Sequence, residues 1–299
     1  MSRTKRFATW VAILMQGYAV AFAVSRPQLW DFMIRDNKLV LYLALFLLYL
    51  VGDRVMHGLV TSEIICKIQL EADQIAAQQI QRTLQPEKLD PLPGYEMEVF
   101  YEPFRAVGGD YFDVIELAGE RTLFVVADVS GKGMPAALLA ANIQALVRSV
   151  ASIDANPLAL ANEINKHLNR YTPNNRFATA VFVILSRSSG ELTYVNAGHN
   201  APIVFCGGSA TSLEATGIPM GLLRAAQYES HASIIPNGGI LLLFTDGLTD
   251  SIAGNDAGSR LQTSVCDSAA ETLSHLKSLI DPKLKEDDVT ILLVKRLRP

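Results

Sequence analysis

Apolar positions are concentrated in two runs near the start of the chain, residues 8–24 and residues 39–52, and neither run contains a charged side chain. As helices the runs would span about 26 Å and about 21 Å, against a hydrocarbon core of roughly 30 Å. We therefore predict that residues 1–60 form a membrane anchor, a helical hairpin of two transmembrane helices.

Two other readings of these runs stay open. Basic residues precede the first run, and Ala21-Phe22-Ala23 resembles a cleavage site, a combination typical of a signal peptide. The two runs also suit a buried hairpin in a soluble protein. In the preferred reading the basic N-terminus stays inside, and two crossings return the chain to the cytosol. This predicts a multi-pass protein of the cell membrane with a cytoplasmic C-terminal domain.

The next segment, residues 61–89, is predicted to be a linker helix. Residues 62–85 contain neither Gly nor Pro, and Ile65, Ile68, Ala72 and Ile75 follow heptad a/d spacing. This face predicts either a homodimer paired through the linker or a helix that packs on its own domain. Prolines from Pro86 onward end the helix and mark the start of a domain at residue 90.

Residues 90–299 alternate between clusters of strands and clusters of helices. The predicted strands are Tyr95–Tyr101, Tyr111–Leu117, Thr122–Val129, Ala178–Leu185, Glu191–Asn196, Pro202–Phe205, Ile240–Thr245 and Val289–Lys295. The predicted helices are Pro135–Ser152, Pro157–Tyr171 and Ala269–Leu279. Because strands follow strands across short turns, the order predicts an α+β fold of antiparallel sheet with helices on its faces.

Composition excludes several classes of protein. The net charge of −4 and a pI near 5.8 argue against a nucleic-acid surface. The three cysteines are far apart and form no C-x-x-C pair, which argues against a zinc site or a redox dithiol and suits a reducing compartment.

Acidic residues stand where predicted strands meet turns. Asp110 precedes one strand, Asp128 and Asp246 end two apolar strands, and Asp287-Asp288 begins the last strand. A single Asp beside Gly is typical of a turn. Several such positions together favour a site for a hard divalent cation, with carboxylate and carbonyl oxygens as ligands.

Other chemistry is less well supported. Ser130–Met134 resembles a P-loop but lacks its first Gly and the Ser or Thr after Lys132. His199 suits either a general base or, preferably, a turn histidine that bonds backbone. No G-x-S-x-G motif occurs in the sequence.

Six motifs stand in order along the chain: 80–86 (IQRTLQP), 108–113 (GGDYFD), 128–133 (DVSGKG), 196–199 (NAGH), 245–247 (TDG) and 287–290 (DDVT). With these motifs the chain resembles, over about residues 75–297, the bacterial PPM/PP2C-type serine/threonine phosphatases of the SpoIIE and sigma-factor-regulator class. The resemblance implies a PP2C-like α/β/β/α sandwich of two mainly antiparallel sheets.

The resemblance also implies two metal ions, Mn²⁺ or Mg²⁺, in each active site. Asp110 and Asp128 would hold the ions and carry catalysis, and the Val129 carbonyl, Asp246 and Asp287 would complete the ligand set. Asp287 is preferred to Asp288 because it takes the first position of the family's final motif. The ions would activate a water for in-line attack on phosphorus.

The implied substrate is phosphoserine or phosphothreonine on a separate signalling protein of the anti-anti-sigma (STAS) type. Two departures concern the eukaryotic branch: Ser130 stands where that branch has His, and its phosphate-binding Arg has no clear equivalent, so Arg105 is a candidate only by its nearness to Asp110 in the sequence. An inactive pseudophosphatase that binds a partner is the alternative function, and a metal-binding scaffold is a third.

Overall fold

A computed structural model describes residues 28, 38–86, 89–151, 156–172, 176–254 and 256–298. The chain divides into two compact units, Met1–Glu71 and Ala72–Pro299. The first predicted transmembrane run, residues 8–24, lies outside the described residues. The second run lies in helix α1, which extends from Lys38 to Leu84 without a break at residue 60. Its 47 residues correspond to a length of about 70 Å.

Within the described residues, one helix, Met134–Ala151, is long and apolar enough to cross a membrane. This helix packs its buried face on a sheet of the second unit, as the core helix of a soluble domain does. The described part of the chain therefore does not support a multi-pass location. Apolar side chains of α1 such as Phe46, Leu47 and Leu48 are nevertheless exposed.

The second unit is built from two sheets. The strands are β1 (Tyr95–Glu102), β2 (Tyr111–Leu117), β3 (Arg121–Val129), β4 (Ala178–Ser186), β5 (Glu191–Ala197), β6 (Ile203–Cys206), β7 (Ser209–Ser212), β8 (His231–Ile234), β9 (Ile240–Phe244) and β10 (Val289–Arg296). One sheet has the order β1-β10-β9-β6-β7 and the other β2-β3-β4-β5-β8. Every paired strand in these sheets is antiparallel.

Helices cover the outer faces of both sheets. They are α2 (Met134–Ala151), α3 (Pro157–Tyr171), α4 (Asp246–Asp250), α5 (Ala257–Thr263) and α6 (Ala269–Leu279). Helices α2 and α3 lie on the β2–β5 sheet, and α4 to α6 lie on the sheet that contains β9 and β10. The layers therefore follow the order α/β/β/α, and the predicted sandwich is confirmed.

The strand sequences explain this layering. In β3, Val125 and Ala127 face the helices, whereas Phe124 and Val126 face the other sheet. Because successive side chains point to opposite faces, a strand between two apolar layers must be apolar throughout. Strands β9 and β10 follow the same rule between the inter-sheet layer and the helices α4 to α6.

Every predicted strand and helix of this unit is present, and its ends agree to within one residue wherever both are described. Four elements were missed: β7, β8, α4 and α5. Strand β7 has the sequence SATS and is exposed throughout, and β8 is a four-residue strand at the edge of its sheet. Strand β7 lacks the apolar alternation on which strand prediction depends, and the alternation of β8 covers only four residues.

An ion pair joins α2 to β2. The Arg148 guanidinium donates to both carboxylate oxygens of the fully buried Asp113, at 2.8 Å and 2.9 Å. The Tyr111 hydroxyl donates to the same carboxylate at 3.0 Å. Asp113 therefore serves to hold helix and sheet together, although it belongs to the same motif as Asp110.

Candidate metal centre

The acidic residues that the sequence singles out come from both sheets. Asp110 immediately precedes β2, and Asp128 lies near the end of β3. Asp246 follows β9, and Asp287 precedes β10, which belongs to the other sheet. The fold brings these four residues to one edge of the sandwich, where their charges act on one another.

Asp110 is the most deeply buried of them. One carboxylate oxygen accepts hydrogen bonds from the hydroxyls of Thr245, at 2.8 Å, and Thr290, at 2.6 Å. Thr290 lies in β10 and Thr245 directly follows β9, so this carboxylate ties its own sheet to the opposite one. Burial and the charges of Asp128 and Asp288 raise the pKa of Asp110, and the two hydroxyls lower it.

The charge of Asp128 interacts with three acidic residues that flank strands of the other sheet. Burial, followed by the carboxylates of Asp246, Asp287 and Asp288, raises the pKa of Asp128 to about 7. This rise measures how strongly the protein disfavours another negative charge at this position. The next residue, Val129, is buried, and a Cβ on Gly109 would lie 3.0 Å from its carbonyl oxygen.

The two adjacent aspartates of the last motif have different surroundings. Asp288 accepts hydrogen bonds from the backbone amides of Phe104, at 2.7 Å, and Gly109, at 2.6 Å, one on each oxygen. Asp287 instead points to a more open environment and forms an ion pair with Lys132 at 2.9 Å. Asp288 therefore holds the loop that carries Asp110, and this role was missed in the sequence.

Glycine residues allow the segments that carry Asp110 and Asp246 to approach Asp288 closely. A Cβ on Gly247 would overlap the Asp288 carbonyl, and a Cβ on Gly108 would overlap the Asp288 carboxylate. Burial, Asp250 and Asp287 raise the pKa of Asp246, whereas the Gly247 amide and Lys132 lower it.

Basic side chains border the carboxylates. The Lys132 ammonium donates to the Glu286 carbonyl at 2.5 Å and lies 5.4 Å from the centre of the Phe104 ring. Arg176 donates to the Ser130 carbonyl at 2.7 Å. The position of Lys132 in the glycine-rich turn was visible in the sequence, but the sequence alone did not reveal its pairing with Asp287.

The remaining predicted residues have clear positions. Arg105 is exposed, and its side chain lies near Gly133. The Ser130 hydroxyl accepts a hydrogen bond from the Phe177 amide at 3.0 Å, which gives it a structural partner. The Tyr101 hydroxyl is buried beside the Asp110 loop, and burial, Asp288 and Asp110 raise its pKa.

His199 is buried behind this edge. Its Nδ1 lies 2.8 Å from the hydroxyl of Thr179, the cross-strand partner of Asp128, and its backbone amide donates to Asn196. Burial lowers the pKa of His199 to about 4, with a small opposing effect from the Phe244 backbone. The imidazole is therefore neutral at pH 7 and supports the strand behind Asp128.

The donor chemistry of this edge fits a hard divalent cation. Its carboxylates and the Val129 carbonyl are oxygen donors, and burial together with neighbouring carboxylates raises the pKa values of Asp110, Asp128 and Asp246. As placed, the described side chains include no group of three or more His, Cys, Asp or Glu that could hold a metal ion. Lys132 engages Asp287 in this arrangement.

Comparison with protein-family models finds a match over residues 118–297 to stage II sporulation protein E (SpoIIE). The chain is 25% identical over 234 residues to phosphoserine phosphatase RsbU of Bacillus subtilis, covering 74% of this chain and 69% of that protein. It is 24% identical over 209 residues to phosphoserine phosphatase RsbP of the same organism, covering 67% of this chain and 52% of RsbP.

Solved structures show the same fold. The RsbU and RsbW domains of a Mycobacterium tuberculosis protein match with a TM-score of 0.60 and 26% identity, covering 70% of this chain and 61% of that one. The PP2C domain of SiaA from Pseudomonas aeruginosa matches with a TM-score of 0.66 and 20% identity, covering 77% of this chain and 98% of that one.

The buried, neutral state of His199 predicts a loss of stability in acid. In the unfolded chain the imidazole binds a proton near pH 6.5, but in the folded protein only near pH 4. Stability that is present above pH 6.5 is therefore lost as the pH falls toward 4, and the loss between pH 7 and pH 5 is about 2 kcal/mol. Urea unfolding at a series of pH values, with a chelator present, measures this change in the free energy of unfolding.

The matched variant is His199→Gln, which has no titrating group. Carboxylates with raised pKa values act in the opposite direction and are shared by both proteins, so the difference between the two pH profiles isolates the imidazole. Parallel profiles for wild type and variant would contradict the prediction.

Proposed function

The chain belongs to the SpoIIE family of PP2C-type serine phosphatases, and from that premise we propose that residues 90–299 form a metal-dependent protein phosphatase domain. The reaction is hydrolysis of phosphoserine or phosphothreonine on a separate protein. The observation that carries this proposal is the convergence of Asp110 and Asp128 from one sheet with Asp246 and Asp287 from the other. An inactive, partner-binding domain would not need to retain four mutually repelling carboxylates.

Two ions, Mn²⁺ or Mg²⁺, are the proposed cofactors. Their proposed ligands are Asp110, Asp128, the Val129 carbonyl, Asp246 and Asp287. When bound, such ions supply Lewis acidity and neutralise charge on the transferred phosphoryl group. The raised pKa of Asp128 supports the assignment, because a cation would offset both the burial and the neighbouring carboxylate charges that raise it.

The protein's own residues prepare this edge for a phosphorylated ligand. Asp288 fixes the Gly109 backbone, and the hydroxyls of Thr245 and Thr290 orient the Asp110 carboxylate. Lys132 forms an ion pair with Asp287 and places a positive charge at this edge that would attract a phosphate group.

The proposed substrate is a STAS-type regulator in a sigma-factor pathway. The support is the family membership together with two relatives that are themselves phosphoserine phosphatases, RsbU and RsbP. The aligned regions cover 69% of RsbU and 52% of RsbP. The substrate and partners are therefore proposed for this chain and are not transferred from those proteins.

Replacing Asp128 with Asn tests the catalytic proposal. The amide keeps the shape of the side chain but removes a ligand charge, and the expected loss in kcat/KM is at least about 100-fold, since even residues that only support ligands cost 10- to 100-fold. The measurement is Mn²⁺-dependent hydrolysis of a generic phosphoester and of a phosphoserine protein.

Asp90→Asn is the matched control, because Asp90 is an exposed residue outside the candidate centre. It should retain wild-type activity. Full activity of Asp128→Asn at saturating Mn²⁺ would overturn the metal assignment, and a wild-type protein that binds Mn²⁺ without hydrolysis would favour the pseudophosphatase.

We also propose that residues 1–60 anchor the protein in the cell membrane and leave the phosphatase domain in the cytoplasm. The support is the apolar run at 39–52, whose described side chains are largely exposed in α1. The intact chain should sediment with membranes and resist extraction by high salt, since apolar burial is insensitive to ionic screening. Release by salt would refute the anchor, and an extracytoplasmic C-terminal reporter would refute the topology.

The linker 61–89 is proposed to pair two chains. Ile68 and Ile75 follow a/d spacing, and both are exposed in the described structure, at 59% and 56%. Replacing both with Asp places like charges on the a/d face, the proposed seam between the two helices, so the proposed dimer should dissociate. The molar mass measured by light scattering should then fall by half. Gln74→Asp lies outside the seam and is the control. An unchanged mass after both seam substitutions would show that the linker does not pair.

A further inference from the structure

The C-terminal end of α1 contacts the loop that carries Asp110. The Gln81 side-chain amide donates to the Gly108 carbonyl at 2.7 Å, and the Gly108 amide donates back to the Gln81 Oε1 at 3.1 Å. One carboxamide thus satisfies both backbone groups of a residue 27 positions away in the sequence. A helix-surface glutamine without a positional role would be expected to face water instead.

A second glutamine extends this contact. Gln85 donates to the Asp110 carbonyl at 3.2 Å. The end of the helix is itself held, because the Gln144 side chain of α2 donates to the Leu84 carbonyl. A small cleft where these residues meet Asp110 is lined by Gln81, Gln85 and Gln144. All of these residues lie within the second compact unit.

The loop is held from its other side by Asp288, which accepts from the Gly109 amide at 2.6 Å. The backbone of Gly108, Gly109 and Asp110 therefore has partners from α1 on one side and from the start of β10 on the other. Glycine is the residue with the greatest backbone freedom, and neither Gly108 nor Gly109 has a side chain to pack. These hydrogen bonds are therefore a main constraint on the backbone of Gly108 and Gly109.

We infer that Gln81 is a positioning residue for the metal centre: its carboxamide fixes the Gly108-Gly109 backbone and so holds the Asp110 carboxylate in place for a divalent cation. The inference rests on the proposed function for the identity of the ligand. The contact between Gln81 and Gly108 is observed independently of that function. Gln81 touches no proposed substrate or ion and acts through the loop. Residues that orient ligands in this way typically change metal affinity about 10- to 100-fold when replaced.

The test is Gln81→Met in the full-length chain. Methionine keeps the length and helix propensity of the side chain and removes both hydrogen bonds. Mn²⁺ binding is measured by calorimetry, and backbone amide exchange is measured for residues 104–112. The expected result is Mn²⁺ binding about 10- to 100-fold weaker and faster exchange confined to this loop, with kcat restored at saturating Mn²⁺ and an unchanged Tm. The control is Gln79→Met, because Gln79 is exposed on the same helix.

Each other outcome has a defined meaning. Wild-type Mn²⁺ affinity and exchange in Gln81→Met would overturn the inference. A lower Tm with faster exchange throughout the domain would also overturn it, because the residue would then serve general stability. If the wild-type protein binds no Mn²⁺, the proposed function fails, while the exchange comparison still decides whether Gln81 orders the loop.

Discussion

Mutual repulsion among buried carboxylates is the constraint on which the rest of this structure depends. Repulsion between like charges strengthens as their separation and the effective dielectric constant fall. Burial, followed by the charges of Asp246, Asp287 and Asp288, raises the pKa of Asp128. A flexible chain would relieve this repulsion by moving the groups apart. Here the backbone of two sheets, the threonine hydroxyls on Asp110 and the ion pair of Asp287 with Lys132 prevent that movement.

The sandwich suits this task because its strands are anchored on both faces. Strands β3, β9 and β10 are mostly apolar and contribute alternate side chains to two separate cores. Moving the end of one of these strands would disturb close packing in both layers, which is costly in protein interiors. The stability of the interior thus supports an edge that is itself electrostatically unfavourable, a common arrangement at functional sites.

Local sequence patterns predicted most of the fold and the positions of the acidic residues. Continuous apolar runs that end in Asp identify both the strands and their ends, which is why Asp128 and Asp246 were found. Long-range contacts were not predictable in this way. Asp288 meets the Gly109 amide across 179 positions in the sequence, and no local pattern separates its role from that of Asp287. The polar strand β7 was missed because its formation depends on pairing with β6 and not on its own apolar content.

The division of the carboxylates between two sheets has a mechanical consequence. Asp110 and Asp128 belong to one sheet and Asp246 and Asp287 to the other, so the apolar layer between the sheets, which includes Phe124, sets how far apart the two pairs stand. Because protein interiors are close-packed and transmit strain, a change of side-chain volume in this layer would be felt at the edge. The distance between the two pairs of carboxylates is therefore coupled to the density of the protein interior, and residues far from this edge help to determine it.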